Sequence, residues 1–243
     1  METKLLDLLH KLRLRGMAKS LVDQLAKARK DGAPIEEILY DLCRTELAWQ
    51  EERSMDNRLK QAKLPWQWTL QSFPFKLQPG VDKARIMSLA GLAFINQAEN
   101  IVFVGEPGTG KTGLAIGLLR NALVNGYRGR FYNAQDLMDE LYASLADRTT
   151  PQLINRLCRY DLLVIDELGY LTLKPEQANA FFKLMEGRYS RRSTIITTNL
   201  HFDQWYDLFQ RKPLVDALLD RLKHRCITIK IDGPSLRAPV YPD

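Results

Sequence analysis

The first quarter of the chain carries apolar residues at helical spacing. Two sets of apolar residues each fall at positions i, i+3, i+4 and i+7, the spacing that lines one face of an α-helix. The sets are Leu5, Leu8, Leu9 and Leu12, and Ile35, Ile38, Leu39 and Leu42. Asp-Gly-Ala-Pro at residues 31–34 is a turn signal between them. A third, heavily charged helix is predicted from about Glu46 to Lys63, before Pro65. Residues 1–64 are therefore expected to form a small all-helical domain.

From residue 100 onward, the pattern changes to short apolar runs separated by segments long enough for a helix. The predicted strands are residues 101–104, 130–133, 162–165, 194–197 and 226–230. Strands that alternate with helices form βαβ units, which build a parallel sheet covered by helices on both faces. The prediction for residues 81–243 is therefore an α/β domain with a five-stranded parallel sheet.

Residues 65–80 join these two parts and are rich in aromatic residues and proline. Pro-Trp-Gln-Trp at 65–68 and Ser-Phe-Pro-Phe at 72–75 favour an ordered linker that packs on the second domain. A contact between this segment and a nucleotide base is an equally open alternative.

Charge and cysteine content narrow the possible partners and compartment. The net charge is +6, and residues 1–30 hold eight lysines and arginines against three acidic residues, which favours a polyanionic partner. No apolar stretch is long enough for a membrane span and the start lacks a secretory pattern, so we expect a cytoplasmic protein without membrane contact. Cys43, Cys158 and Cys226 are too widely spaced to indicate zinc or disulfides and are expected to be buried thiols.

The strongest chemical signal is Gly-Glu-Pro-Gly-Thr-Gly-Lys-Thr at residues 105–112, directly after an apolar run. A glycine-rich loop at a helix start wraps a polyphosphate with backbone N–H groups. Lys111 is placed to reach the β and γ phosphates, and the Thr112 hydroxyl to ligate Mg²⁺. The segment predicts a site for ATP, or alternatively GTP. Its predicted nucleotide-binding residues are Gly105, Glu106, Pro107, Gly108, Thr109, Gly110, Lys111, Thr112 and Gly113.

A pair of carboxylates follows the apolar run 162–165. Because α/β sheets bind ligands at the carboxyl ends of their strands, Asp166 is expected to hold Mg²⁺ together with Thr112, and also to contact the nucleotide. Glu167 is suited to orient and polarise an attacking water. By itself such a pair is more often the capped start of a helix. The loop at 105–112 makes it the expected partner of a phosphate site.

Three further residues each allow two interpretations. Asn199, after the fourth predicted strand, either bonds the γ phosphate or the lytic water, or caps the helix near residues 203–206. Arg221, near the end of the helix that begins at about Pro213, either complements the helix dipole or acts as an arginine finger toward a neighbouring subunit. Arg237 is either a second phosphate contact or a surface residue.

Together these motifs resemble the IstB/DnaC family of AAA+ ATPases, and they resemble its IstB branch most. The resemblance covers residues from about 5 to 237. It rests on the loop and the acidic pair, and on Gly16-Met-Ala, Leu47-Ala-Trp49, Ser72-Phe-Pro-Phe75, Leu168-Gly-Tyr170, Thr197-Thr-Asn199, Asp220-Arg221-Leu222 and Gly233-Pro-Ser-Leu-Arg237. Relatives commonly carry histidine where this chain has Gly113, whose flexibility is expected to loosen the site slightly.

The resemblance implies an AAA+ core and an ATPase that depends on Mg²⁺. It further implies a homo-oligomer with ATP sites at subunit junctions, binding to duplex DNA, and assistance to a transposase in target choice and insertion. It assigns Asn199 to sensing the γ phosphate and Arg221 to a finger that acts in trans, and it leaves Arg237 open. Two alternatives remain: a helicase loader of the DnaC kind and a nucleotide-gated scaffold.

DNA contacts are expected to be mainly with phosphates, with low sequence specificity, because no base-reading motif is present. Besides the basic amino-terminal stretch, the candidate contacts are Arg128, Arg130, Arg188, Arg191 and Arg192.

Overall fold

The computed structural model describes residues 2–169, 171, 173–209 and 212–237. It divides into two compact units, residues 1–57 and 58–243. The division predicted from the sequence, 1–64, 65–80 and 81–243, stays a prediction. Tyr170 and residues 238–243, the end of the predicted ATPase domain, lie outside the described residues.

The first unit is built from helices, as expected. They are α1 (Glu2–Lys11), α2 (Arg15–Asp31) and α3 (Ile35–Ala62), the last of which crosses the division between the units. The predicted second and third helices form one continuous helix, since no glycine or proline interrupts them. A break at residues 12–14 was not predicted: Arg13 adopts a left-handed conformation (φ 62°), and the Leu14 N–H donates to the carbonyl of Leu9 at 2.9 Å.

Gly16-Met-Ala and Leu47-Ala-Trp49, two of the segments on which the family resemblance rests, meet where α2 crosses α3. A Cβ atom on Gly16 would lie 2.8 Å from Glu46 Cα and 2.8 Å from Trp49 Cβ, so only glycine lets the two helices approach this closely. The buried carboxylate of Glu46 accepts the Met17 N–H at 3.0 Å and so satisfies one of the free donors at the start of α2. These residues therefore fix the packing of the helical unit.

The second unit alternates strands and helices. Its elements are α4 (Lys83–Leu89), α5 (Ala93–Asn96), β1 (Asn100–Gly105), α6 (Lys111–Val124), β2 (Gly129–Asn133), α7 (Ala134–Ala146), α8 (Thr150–Cys158), β3 (Leu162–Asp166), α9 (Pro175–Arg188), β4 (Ser193–Thr198), α10 (Trp205–Phe209), α11 (Lys212–His224) and β5 (Cys226–Ile231), with a short 3₁₀ helix at Phe202–Gln204. All five predicted strands are confirmed within about a residue at each end.

The strands form one parallel sheet in the order β2-β3-β4-β1-β5. Its two faces pack into separate hydrophobic clusters, with Val102 and Ile165 on one side and Phe103 and Val164 on the other. Burial on both faces explains why these strands read as unbroken apolar runs. The predicted α/β core with preceding helices is confirmed. Because all strands point the same way, the segments after β1, β3 and β4 meet at one edge.

The segment 65–80 lies on α6, the helix that begins with the glycine-rich loop. Trp68 occupies the space beside Gly113, where a Cβ atom would be 2.6 Å from its ring atom Cε3. Leu70 fills the corresponding space beside Gly117, one turn on, and Phe73 packs beside Gly110. The absence of a side chain at Gly113 therefore makes room for an indole ring, which differs from the loosening that we expected from its flexibility.

Two further expectations concern cysteines and membranes. Cys43 is exposed, so the expectation that it is buried is wrong, whereas Cys158 and Cys226 are partly buried. In the part of the chain that the structure describes, no helix combines the length and apolar character needed to span a membrane.

Candidate functional site

The glycine-rich loop curves tightly between β1 and α6. Gly108 and Gly110 adopt left-handed conformations with φ of 82° and 93°, which side chains rarely tolerate. The Thr109 hydroxyl donates to the Glu106 carbonyl at 2.8 Å and closes the loop from within. The loop ends at the start of α6, where backbone N–H groups are free to face an anion.

Lys111 lies along the inside of this loop. Its ammonium group donates to the carbonyls of Gly105 at 2.7 Å and Glu106 at 2.8 Å. An ammonium has three N–H donors, so one is left for an anion in the loop. Partial burial lowers the pKa of Lys111, while the nearby carboxylates, Asp166 foremost, oppose this. The lysine is thus held by the backbone in a position from which it can contact a phosphate.

Asp166 ends β3 and connects two hydroxyl groups. Its Oδ1 atom accepts from Thr112 Oγ1 at 2.9 Å and from Thr197 Oγ1 at 2.5 Å. Burial raises the pKa of Asp166, and the two hydroxyl donors counteract this in part. One hydroxyl beside one carboxylate fits Mg²⁺, which usually keeps waters and phosphates as its other ligands. Within the described residues, no group of three or more His, Cys, Asp or Glu residues offers an all-protein metal site.

Glu167 is held in place from its backbone and from its side chain. Its φ is 63°, an uncommon value for a residue with a side chain, and its N–H donates to Thr197 Oγ1 at 2.9 Å. Its carboxylate accepts from Asn133 Nδ2 at 3.1 Å. No helix begins at Glu167, since α9 starts only at Pro175, so the alternative of a capped helix start does not apply.

Asn133 is a site residue that the sequence reasoning missed. It ends β2, pairs in register with Asp166 on β3, and also accepts the Gln135 N–H at the start of α7. The available signal was a polar residue at the end of a predicted strand. Its relevance depends on β2 lying next to β3, which the sequence alone did not reveal.

A cleft of about 390 Å³ opens above the loop. Lys111, Thr112 and Gly113 line it together with Glu167, Asn199 and Arg237, and Trp66 and Trp68 of the preceding segment form a further wall. The structure thus brings these predicted residues together. It also places the segment 65–80 both on the domain and at the cleft, so that its two proposed roles are compatible.

Asn199 does not cap the following helix. The cap position of the 3₁₀ helix belongs to His201, and the Leu200 N–H donates to Thr198 rather than to Asn199. The buried Oδ1 atom of Asn199 has no hydrogen-bond partner among the described residues, and the residue lines the cleft. This geometry argues against the helix cap, and the role of Asn199 at the γ phosphate or the lytic water stays a prediction.

Arg221 is not part of this cluster. It lies in the last turn of α11 and pairs with Glu186 of α9 at 3.2 Å. Cys226, which begins β5, pairs with Asn100 at the beginning of β1, whereas the loop follows the end of β1. Arg221 and the loop are therefore at opposite edges of the sheet, separated by the length of a strand, about 17 Å.

Among the basic candidates for DNA contact, Arg188 is a wrong prediction. Its side chain is 1% exposed and makes four hydrogen bonds inside the domain. Burial lowers its pKa to about 10. The acceptors are Thr194 Oγ1 and the carbonyls of Leu157, Tyr160 and Ser193, so this arginine joins the starts of neighbouring strands.

The remaining basic candidates lie at or near the surface. Arg128 and Arg192 both pair with Asp161, at 3.5 and 3.0 Å. Arg130 is half-buried and donates to the backbone carbonyl of residue 61 at 2.6 Å. Arg191 is exposed. Arg128 and Arg191 are thus the exposed members of this set, and Arg128 is held by an ion pair.

The sequence and the fold are similar to those of known proteins. The family model described as "IstB-like ATP binding protein" matches residues 7–240. An ATP-binding protein of insertion sequence IS21 from Pseudomonas aeruginosa is 36% identical over 230 residues, covering 95% of this chain and 87% of that protein. An ATP-binding protein of insertion sequence IS5376 from Geobacillus stearothermophilus is 34% identical over 237 residues, covering 98% and 94%. The crystal structure of the DnaC helicase loader is 25% identical with a TM-score of 0.58, covering 70% of this chain and 100% of that one.

Proposed function

Because the chain belongs to the family of IstB-like ATP-binding proteins, we propose that it is an ATP-dependent helper of an insertion-sequence transposase. It binds and hydrolyses ATP with Mg²⁺, assembles on duplex DNA, and assists the transposase in choosing and joining a target. The family resemblance read from the sequence motifs is confirmed by these comparisons. The observation that carries the proposal is the convergence of Lys111, the Thr112–Asp166 pair and Glu167 at one sheet edge.

The proposed chemistry follows from the groups at this edge. Lys111 donates its remaining N–H to the phosphates, and Thr112 and Asp166 hold Mg²⁺. When bound, Mg²⁺ neutralises charge on the phosphate oxygens. Glu167 orients the attacking water and accepts its proton, while Asn133 fixes the carboxylate by donating to it. Asn199 and Arg237 line the same cleft, where they contact the γ phosphate.

The aromatic wall of the cleft supports a contact with the nucleotide base. Trp66 and Trp68 line the cleft beside Gly113, and an indole face is a suitable surface for stacking a purine. ATP binding is therefore expected to change the tryptophan fluorescence of the protein, which offers a direct binding assay.

Arg221 completes the proposed site from a neighbouring subunit. It lies a strand length away from the loop of its own chain, so it reaches a γ phosphate only in another copy. A head-to-tail oligomer with ATP sites at subunit junctions meets this requirement. Glu186, which pairs with Arg221 in the single chain, holds the guanidinium until the neighbour's phosphate replaces it.

DNA binding is proposed on the distribution of charge. The net charge of +6, the basic first 30 residues and the exposed Arg191 favour contacts with phosphates. Such binding is weakly specific and decreases steeply with salt, because it releases counterions from the DNA.

Two variants test the nucleotide site and the proposal that Arg221 acts on the ATP site of a neighbouring subunit. Lys111→Ala is expected to abolish ATP hydrolysis, and an unchanged rate would refute the site. Arg221→Ala is expected to be inactive as well. Mixing the two inactive variants should restore part of the activity, since a Lys111→Ala subunit still supplies its arginine to an intact site. No recovery at any mixing ratio would contradict a finger in trans.

A helicase loader is the second candidate, favoured by the similarity to the DnaC structure. The higher identity to insertion-sequence proteins over almost the whole chain favours the transposition helper. Capture experiments with purified transposase and replicative helicase distinguish the two. Binding of the helicase alone would refute the transposition role.

A nucleotide-gated scaffold would need ATP binding but not hydrolysis. Glu167→Gln keeps the size of the side chain and removes its charge, so it is expected to bind ATP and form assemblies that do not turn over. Loss of transposition in this variant supports a cycling ATPase. Full transposition with persistent assemblies would support the scaffold instead.

A further inference from the structure

Gln78 is a fully buried polar residue just before the ATPase core. Its side chain is 0% exposed, and no motif in the sequence marks it. Its Nε2 atom donates to the carbonyl of Thr109 in the glycine-rich loop at 3.1 Å and to the carbonyl of Pro234 at 2.9 Å. A single side-chain nitrogen thus joins segments that are separated by more than 120 residues in the chain.

The segment that contains Pro234 also contacts the loop directly. The Leu236 N–H donates to the Gly108 carbonyl at 2.8 Å, and a Cβ atom on Gly108 would lie 2.1 Å from Ser235 Oγ. Residues 233–237 therefore lie against the loop, and Arg237 at the end of this segment lines the cleft. Gln78 lies where the loop and this carboxy-terminal segment meet.

The chemistry of this position requires a carboxamide. Two backbone carbonyls face one atom, so that atom must carry two N–H donors, and glutamine supplies them on an uncharged group long enough to reach both. A charged amine buried at this point would lose its hydration, and a hydroxyl has only one hydrogen. The Oε1 atom of Gln78 has no partner among the described residues and lies 1.6 Å from where a Cβ atom of Gly233 would be. Gly233 therefore leaves room for the amide.

We propose that Gln78 is a positioning residue of the nucleotide site, whose side-chain amide holds the glycine-rich loop and the segment carrying Arg237 together before ATP binds. This inference rests on the proposed ATP binding. Without the amide, two segments that contact the nucleotide must be ordered by the nucleotide itself, and that cost reduces affinity. Because Gln78 is not among the residues that line the cleft, its effect is expected to be equal in the ground state and the transition state.

The main test replaces Gln78 with methionine, which has a similar length but no donor. We expect the dissociation constant and the KM for ATP to rise about tenfold, with kcat at saturating ATP changed less than about twofold, the pattern of uniform binding. Gln71→Met is the matched control, because Gln71 is exposed on the same segment. Parent-like affinity in folded Gln78→Met would overturn the proposal.

A second variant disturbs the Gln78 amide by changing Gly233, the residue beside it. Gly233→Ala places a methyl group where Gln78 Oε1 lies, so it is expected to displace the amide while Gln78 itself is unchanged. Its effect on affinity should match that of Gln78→Met, and the double variant should be no weaker than either single one. Additive effects of the two changes would refute a shared mechanism. This variant also decides the matter if Gln78→Met fails to fold.

Hydrogen exchange of the nucleotide-free protein separates this proposal from the proposed function. In Gln78→Met, we expect faster amide exchange in both 105–110 and 233–237, with exchange in β3 unchanged. Unchanged exchange in either segment would contradict a link between them. If the parent protein binds no ATP, the proposed function fails, while the exchange result still decides whether Gln78 joins the two segments.

Discussion

Replacing Gly113 with alanine is expected to destabilise the protein, although the same change usually stabilises a helix. Inside a helix, alanine is better than glycine by roughly 0.5–1 kcal/mol. At this position, however, the new Cβ atom would lie 2.6 and 2.7 Å from two ring atoms of Trp68. Normal carbon contacts are about 3.5–4.0 Å, and overpacking of this kind costs about 1–3 kcal/mol. The ring is rigid, so the clash outweighs the helix gain, and we expect a net loss of about 1–2 kcal/mol.

Urea unfolding followed by circular dichroism measures this loss, and a double-mutant cycle identifies its cause. With Trp68→Ala present, the same Gly113→Ala change should become neutral or stabilising, because the ring that it meets is gone. Trp68 also lines the cleft, so Gly113→Ala alone should raise the KM for ATP. If Gly113→Ala stabilised the otherwise unchanged protein by the amount typical of an open helix, the packing of Trp68 on α6 would be refuted.

Four further changes test other parts of the site and its surroundings. Arg188→Met should cost more than about 3 kcal/mol in chemical denaturation, because four acceptors inside the domain lose their donor. Arg191→Ala should change stability by less than about 0.5 kcal/mol and should reduce the salt dependence of DNA binding by about one unit of slope. Asp166→Asn should raise the melting temperature of the Mg²⁺-free protein at neutral pH. Because the pKa of Asp166 is higher in the folded protein than in the unfolded chain, the protonated carboxyl favours folding at a pH below its ordinary pKa. This contribution to the free energy of unfolding is lost as the pH rises through the pKa of Asp166 in the folded protein. The stability advantage of asparagine should therefore shrink in acid. Asn133→Asp keeps the helix cap but replaces the donor to Glu167 with a like charge, so kcat should fall roughly 10- to 100-fold with little change in melting temperature; an unchanged kcat would remove Asn133 from the site.

The sequence allowed the sheet and the phosphate loop to be predicted because both leave local signals. Strands buried on both faces are unbroken apolar runs, and a loop that wraps phosphates needs glycines at fixed spacing beside Lys111. Asp166 and Glu167 followed because they end such a run. These signals are contained within a few consecutive residues.

What the sequence did not reveal depends on contacts between distant segments. Asn133 matters because β2 lies beside β3, and Gln78 because residues 233–237 return to the loop. Arg188 is a charged residue of the kind usually found on the surface, yet it is buried because its guanidinium donates hydrogen bonds to backbone carbonyls of neighbouring segments. None of these can be recognised without knowing which elements are neighbours.

Arg221 lies at the sheet edge opposite the loop, and this position determines how many complete ATP sites an assembly of this chain would contain. A subunit that both receives an arginine and supplies one needs two different neighbours, so a two-fold symmetric pair cannot complete its sites through one shared contact. In the proposed head-to-tail assembly, an open row of n protomers would then contain n − 1 complete sites, and it would end on one subunit that holds ATP without a neighbour's arginine. Closing the row would add the last site. Turnover per protomer would thus increase with the length of the assembly, and the terminal subunit would be the one that keeps its ATP longest.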